Sequence, residues 1–267
     1  MLAGGVAAGI FGSLLGLGGG VLIVPLLTLG FGLELRAAVG VSLVAVIVTS
    51  SAAAGVYLER NTANLRLGMS LELFTAIGAL VGGVIAFLIE ERVLAVLFAV
   101  LLGYVALSMV RQRPATAIPE ALAPVDPDDE DVQAEVLRHL SGDDYAVRNL
   151  GRGIVGATGA GVVSALLGIG GGIIKVPLMH LAMGVPMRVA TATSNLMIGI
   201  TAASSAVIYL IRGEIDPYVA GPTAIGVFLG ASLGSRVAHR VDLRILRGLF
   251  VVVLAYTAIQ MLLRAVT

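Results

Sequence analysis

GLGGGVLIVP at residues 16–25 returns as GIGGGIIKVP at residues 168–177, each time inside a long apolar stretch. The offset is 152. Leu14 to Arg60 align without a gap against Leu166 to Arg212, and about 19 of those 47 pairs are identical, far above chance for a spaced repeat. Gly16, Gly18, Gly19, Gly20 and Pro25 pair with Gly168, Gly170, Gly171, Gly172 and Pro177. Further along, Gly32, Arg36, Ser42, Thr49, Tyr57 and Arg60 pair with Gly184, Arg188, Ser194, Thr201, Tyr209 and Arg212. Each copy therefore predicts a helix broken by glycine at the same depth. Broken helices at matching places in two halves point to a transporter with its binding site at the repeat interface.

Composition sets the medium. Of 267 residues, 58% are hydrophobic and 13% charged, where a soluble domain carries about 25% charge. Apolar segments run over about 2–30, 37–58, 69–89, 93–110, 152–182, 189–211, 217–238 and 243–263. Most approach the roughly 20 residues that cross a bilayer. Met1 leads into apolar sequence without a basic region, so no cleavable signal peptide is expected. Cysteine is absent, which excludes thiol chemistry and thiolate metal sites. The net charge is zero, so charge suggests no nucleic-acid partner.

The first segment of each half nearly reaches 30 residues, and its glycines cut it into pieces of about 12–14, too short to span. Loop charges separate a kinked span from a re-entrant hairpin. Full crossings would split arginine about nine to seven across the membrane; hairpins would split it roughly twelve to four, the asymmetry that the positive-inside rule expects. The expected fold is an all-α polytopic membrane protein of two inverted repeats, each a glycine-broken re-entrant hairpin plus three transmembrane helices. The divisions are a first membrane repeat at 1–110, a cytoplasmic linker at 111–149 and a second membrane repeat at 150–267. The linker is rich in proline and aspartate, with a short amphipathic helix over 132–140. Its plain reading is a solvated connection; docking a partner is the lesser one.

Consecutive glycines let backbone N–H groups turn inward together and form an anion-binding nest. Gly18, Gly19, Gly20, Gly170, Gly171 and Gly172 are therefore candidate substrate-binding residues, the competing reading being close helix packing. Lys175 is the only lysine and stands where the first copy has Ile23. A cation at that depth costs at least about 2.5–3.5 kcal/mol, so an anionic substrate is its expected partner, with snorkelling as the alternative. Ser42, Ser194 and Asn195 supply hydroxyl and amide donors. His180 could relay protons or simply be a hydrogen-bonded histidine at a hairpin end. Tyr57, Tyr209, Arg60 and Arg212 read as interfacial anchors. Glu34, Glu59, Glu72, Glu90, Glu91, Glu214, Asp216 and Asp242 all fall near segment ends, so no mid-span acid is expected to couple protons or sodium. No catalytic residue, metal site or cofactor is expected.

With its two copies of the glycine segment ending in proline, each followed by a turn, an arginine and a Ser/Thr-rich span, the chain resembles the TauE/SafE family of sulfite exporters, also called the toluene sulfonate uptake permeases. The resemblance covers both halves but not 111–149. It implies a secondary transporter of sulfite, a sulfonate or a related sulfur oxyanion in the cell membrane, and leaves direction and coupling ion open. An anion channel on the same scaffold is the first alternative. An intramembrane hydrolase using Ser164 or Ser194 with His180 is a lesser one, since Ser164 lacks the GxSxG setting. A purely structural scaffold is the last.

Overall fold

The computed structural model describes residues 1–14, 20–59, 63–111, 140–142, 145–237 and 243–266. Its regular elements are helices: α1 (Leu2–Leu14), α2 (Gly20–Pro25), α3 (Leu35–Glu59), α4 (Leu65–Leu88), α5 (Glu91–Arg111), α6 (Leu150–Leu167), α7 (Gly172–Pro177), α8 (Met187–Ile211), α9 (Pro217–Val237) and α10 (Leu243–Val266). Helices suit this chain because each satisfies its own backbone groups where no water can. Five windows among the described residues, in α3, α4, α5, α6 and α8, are long and apolar enough to cross a membrane. Large apolar side chains such as Met69, Leu73, Leu88, Val155, Leu210 and Ile211 face outward, as a lipid-facing surface requires. The protein is an all-α polytopic membrane protein.

Pro25 and Pro177 close α2 and α7, and each is followed by one π-helical turn, Leu26–Gly30 and Leu178–Ala182. Proline lacks an N–H and crowds the preceding turn, so the hydrogen-bond register widens there. Both second arms then fold back along the first. Asn149 Nδ2 donates to the Ala182 carbonyl at 3.0 Å, and Arg148 N donates to the Met183 carbonyl at 3.0 Å. A Cβ on Gly156 would lie 2.5 Å from Leu178, and one on Gly4 would lie 2.8 Å from Leu26, the same pair 152 residues earlier. Each glycine-broken segment is thus a hairpin. The arm lengths depart from expectation in one place: α6 has 18 residues, enough to cross, because it starts at Leu150 and runs unbroken to Gly168.

The halves interlock. α1 packs on α9, α6 packs on α4, α3 meets α8, and α5 meets α10. The closest approaches recur at the repeat offset. Gly78 abuts the Thr158 backbone as Gly230 abuts Val6, and Gly161 abuts Thr75 and Ala79 as Gly9 abuts Val227 and Ala231. Small residues let these backbones touch.

Loops collect at two ends. At one, Arg36 Nη2 donates to the Ile89 carbonyl (2.7 Å), Leu35 N donates to Glu91 (2.6 Å), and Glu214 faces Glu34, Arg36 and Glu91. Partial burial raises the Glu214 carboxyl above its ordinary range, and Glu34 pushes it the same way. At the other end, Asn64 Nδ2 donates to the Leu140 carbonyl and to the Tyr145 hydroxyl, both at 2.7 Å, while its Oδ1 caps α4 by accepting from Leu67 N. Most of the linker, including nearly all of the amphipathic stretch expected at 132–140, lies outside the described residues; Leu140 itself is buried against the start of α4.

Candidate functional site

The break in the second half is built from glycine conformations. Gly168, Gly170 and Gly171 have φ of +68°, +78° and +76°, values that side chains with a Cβ rarely tolerate. Gly168 N closes α6 on the Ser164 carbonyl at 2.8 Å, and Gly171 caps the start of α7. Gly172 lies against α8, where an added Cβ would meet Ile198 at 2.6 Å and Ser194 Oγ at 3.6 Å. The first hairpin's second arm meets the second hairpin's turn: a Cβ on Gly20 would sit 3.0 Å from the Gly168 carbonyl oxygen. Ser42 ties them together, its hydroxyl 2.8 Å from the Gly168 carbonyl and 3.3 Å from that of Gly20. Gly18 and Gly19 fall outside the described residues.

Lys175 sits one turn into α7, its backbone N–H bonded to the Gly171 carbonyl. Side chains on a helix lean toward its N-terminus, so the lysine stem passes the glycine turn, with Cε 3.3 Å from where a Gly171 Cβ would be. It is 1% exposed and does not snorkel. Its Nζ lies 3.1 Å from Glu72 Oε2 on α4 and 2.5 Å from Thr201 Oγ1 on α8. Thr201 Oγ1 in turn stands 2.6 Å from Glu72 Oε1. Two sequence expectations fall here. Lys175 has an acidic partner inside the protein, and Glu72 is a buried carboxylate, 4% exposed. The reason is the start of α4. The apolar run read from residue 69 put Glu72 near an end, but the Asn64 cap begins the helix at Leu65, so Glu72 lies two turns inside.

Most hydroxyls on these helices donate back to the carbonyl four residues earlier, as Thr75, Thr158 and Ser205 do. Ser164 and Ser194 do not. Both hydroxyls are fully buried and have no hydrogen-bond partner. Both stand at the glycine turn, Ser164 Cβ 3.4 Å from a Cβ placed on Gly171 and Ser194 beside Gly172. A buried hydroxyl left unpaired costs about 1–3 kcal/mol, so two at one turn mark a place that favours a polar guest.

The remaining candidates are placed elsewhere. Asn195 is half-buried and donates to the Thr191 carbonyl at 3.0 Å. The His180 Nδ1 is 2.9 Å from the Val185 carbonyl, which fixes the ring at the hairpin's end. Neither Ser164 nor Ser194 bonds to a histidine, so the structure assembles no Ser–His pair from them. Tyr209 is no interfacial anchor: it is wholly buried, donates to the Ala165 carbonyl at 3.0 Å and packs on Phe87, centroids 5.1 Å apart. Arg212 lies over the same Phe87 ring at 5.3 Å. Tyr57 and Arg60 fall among side chains outside the description. Sequence reasoning missed Glu72 and Thr201 as partners of Lys175. The repeat offers a signal for Thr201, which pairs with Thr49, but none for Glu72, whose counterpart is Ala224.

The family model for sulfite exporter TauE/SafE matches residues 1–261. A probable membrane transporter protein, YunE of Bacillus subtilis, is 26% identical over 266 residues, covering 97% of this chain and 94% of that one. A probable membrane transporter protein of Xylella fastidiosa is 29% identical over 228 residues, 85% of this chain and 79% of its own. Sulfite exporter TauE/SafE family protein 6 of Arabidopsis thaliana is 35% identical over 82 residues, 31% of this chain and 19% of its own. No solved structure matches. With a family model spanning nearly all of its length, the chain belongs to the sulfite exporter TauE/SafE family of membrane transporters.

Proposed function

We propose that the protein is a secondary transporter for sulfite, a sulfonate or a related sulfur oxyanion, bound at the glycine breaks and carried by alternating access rather than chemically changed. The observation that carries this reading is the pair of buried, unpartnered hydroxyls, Ser164 and Ser194, at the Gly171–Gly172 turn. A sulfur oxyanion offers several acceptor oxygens on one small centre. Two hydroxyl donors, the N–H groups of the glycine turn and the nearby Lys175 ammonium match it in number and sign. Gly20 and Ser42 bring the first hairpin to the same spot. Gly18, Gly19 and Gly170 extend the nest in this reading, Asn195 takes an outer place on α8, and His180 serves the hairpin's shape.

The enclosure of Lys175, Glu72 and Thr201 favours a carrier over an open pore. Alternating access follows if the halves are inverted repeats, 1–110 and 150–267, that rock against each other around the contact of Gly20 with Gly168. The arginine asymmetry supports a cytoplasmic linker at 111–149 in the cell membrane.

The test is sulfite flux into proteoliposomes, with sulfate, a small sulfonate and chloride as competitors. Saturable flux inhibited by sulfonate but not chloride is expected. Flux no greater than in empty liposomes, from folded protein, overturns the reading; flux linear in concentration makes the protein a channel.

A further inference from the structure

Lys175 and Glu72 cancel each other. The pair carries no net charge, and α4, α7 and α8 enclose it. A monoanion brought against a neutral buried pair adds one unbalanced negative charge to a low-dielectric interior, which is strongly unfavourable. One proton changes that sum. Protonated Glu72 is neutral, and its O–H has Thr201 Oγ1 at 2.6 Å to accept it. Lys175 is then the sole charge, and its stem already runs past Gly171 beside Ser164. The ammonium can exchange its carboxylate for the anion while the total charge returns to zero.

We infer that the protein carries its anion together with one proton, and that Glu72 is the group that holds it. This rests on the transport reading above. When the site opens to one side, water there supplies the proton, an O–H bond forms on the Glu72 carboxyl, and Lys175 pairs with the anion. On the other side the anion leaves, the O–H bond breaks to water, and the Lys175–Glu72 pair forms again. No other bond changes. Lys175 is the coulombic partner of Glu72 among the described residues. The other ionisable side chains on the elements around it are Arg66 on α4, Arg152 on α6, His180 in the π-helical turn, and Arg188 and Tyr209 on α8; those on the α-helices stand toward the helix ends. The stoichiometry follows from asymmetry. At the repeat offset Lys175, Glu72 and Thr201 correspond to Ile23, Ala224 and Thr49, so the first half supplies no second pair.

The experiment uses the full chain in proteoliposomes with methanesulfonate, which does not titrate near neutrality, and with sulfite. Exchange is measured at equal pH, then accumulation with the outside acidic. Wild type is expected to accumulate methanesulfonate about tenfold per pH unit, the equilibrium for one proton per monoanion. Glu72→Gln, which fixes the neutral state, is expected to slow exchange without stopping it and to lose accumulation altogether. If neither anion exchanges in wild type, the transport reading falls and coupling falls with it. If exchange occurs but accumulation ignores the pH gradient, coupling alone is overturned. If only sulfite exchanges, its accumulation in wild type must exceed that in Glu72→Gln, or coupling is overturned. Should Glu72→Gln fail to fold, proton entry into wild-type vesicles holding a pH dye decides: uptake that begins on adding the anion supports coupling, and its absence overturns it.

Discussion

Ser42 and Ser194 occupy the same place in the two copies and have different work. Ser42 joins the carbonyls of Gly20 and Gly168, whereas Ser194 bonds to nothing in the protein. Ser42→Ala should therefore lower thermal stability by about 1 kcal/mol or somewhat more, because buried carbonyls lose their donor. Ser194→Ala should leave the melting temperature near wild type and raise the concentration needed for half-maximal flux. Lys175→Ala is a harsher change. It strands Glu72 as a lone buried carboxylate, and breaking one side of such a pair costs about 3–5 kcal/mol. The double variant Lys175→Met with Glu72→Gln should recover most of that loss in a detergent melt, but without the ammonium it should not transport. If Lys175→Ala melted like wild type, the pair would be solvated and not buried. The lysine was legible from sequence as a misplaced cation; its partner was not, since nothing in the string of residues says that Asn64 starts the helix two turns before Glu72.

The hairpins were the most legible elements. Three glycines in a row cannot continue a membrane helix cheaply, and a proline five positions on limits the second arm. What the sequence left open was the length of the first arm, which depends on where α6 begins and so on a linker without periodic signal. Helix contacts give sharper tests than helix existence. Gly78 and Gly161 lie where α4 and α6 touch backbone to backbone, so Gly78→Ala or Gly161→Ala should cost about 1–3 kcal/mol, and more if the helices must part. Gly159, one position from the seam's contacts, has open space beside it. Gly159→Ala should be neutral or raise stability by roughly 0.5–1 kcal/mol, since alanine loses less entropy in a helix. Melting curves of these variants separate a packing seam from a merely glycine-rich helix.

At the scale of the molecule, hairpins decide sidedness. Each returns to the end it left, so the loops around Glu34 and Glu90 share one end and the start of α8 at Arg188 lies at the other. Because these 267 residues include no cysteine, single replacements report this directly. In sealed vesicles, Glu34→Cys and Glu90→Cys should react with a membrane-impermeant thiol reagent from the same side, and Arg188→Cys only from the opposite one. The arginine count favours the same parity and awaits the same test, because charge asymmetry registers sidedness without registering contacts. The exchange of partners between halves was beyond its reach: hydropathy is blind to which apolar face meets which.

That exchange has a consequence for how the protein is made. The glycine face of α1 is covered by α9, which is synthesised long afterwards, after the whole central stretch. During that interval the first hairpin is in the membrane without its mate, with the glycine surface of α1 still uncovered. Lipid or the insertion machinery must shelter it until translation delivers the second half. The backbone-to-backbone contacts of Gly5 and Gly9 can form only once α9 has been made.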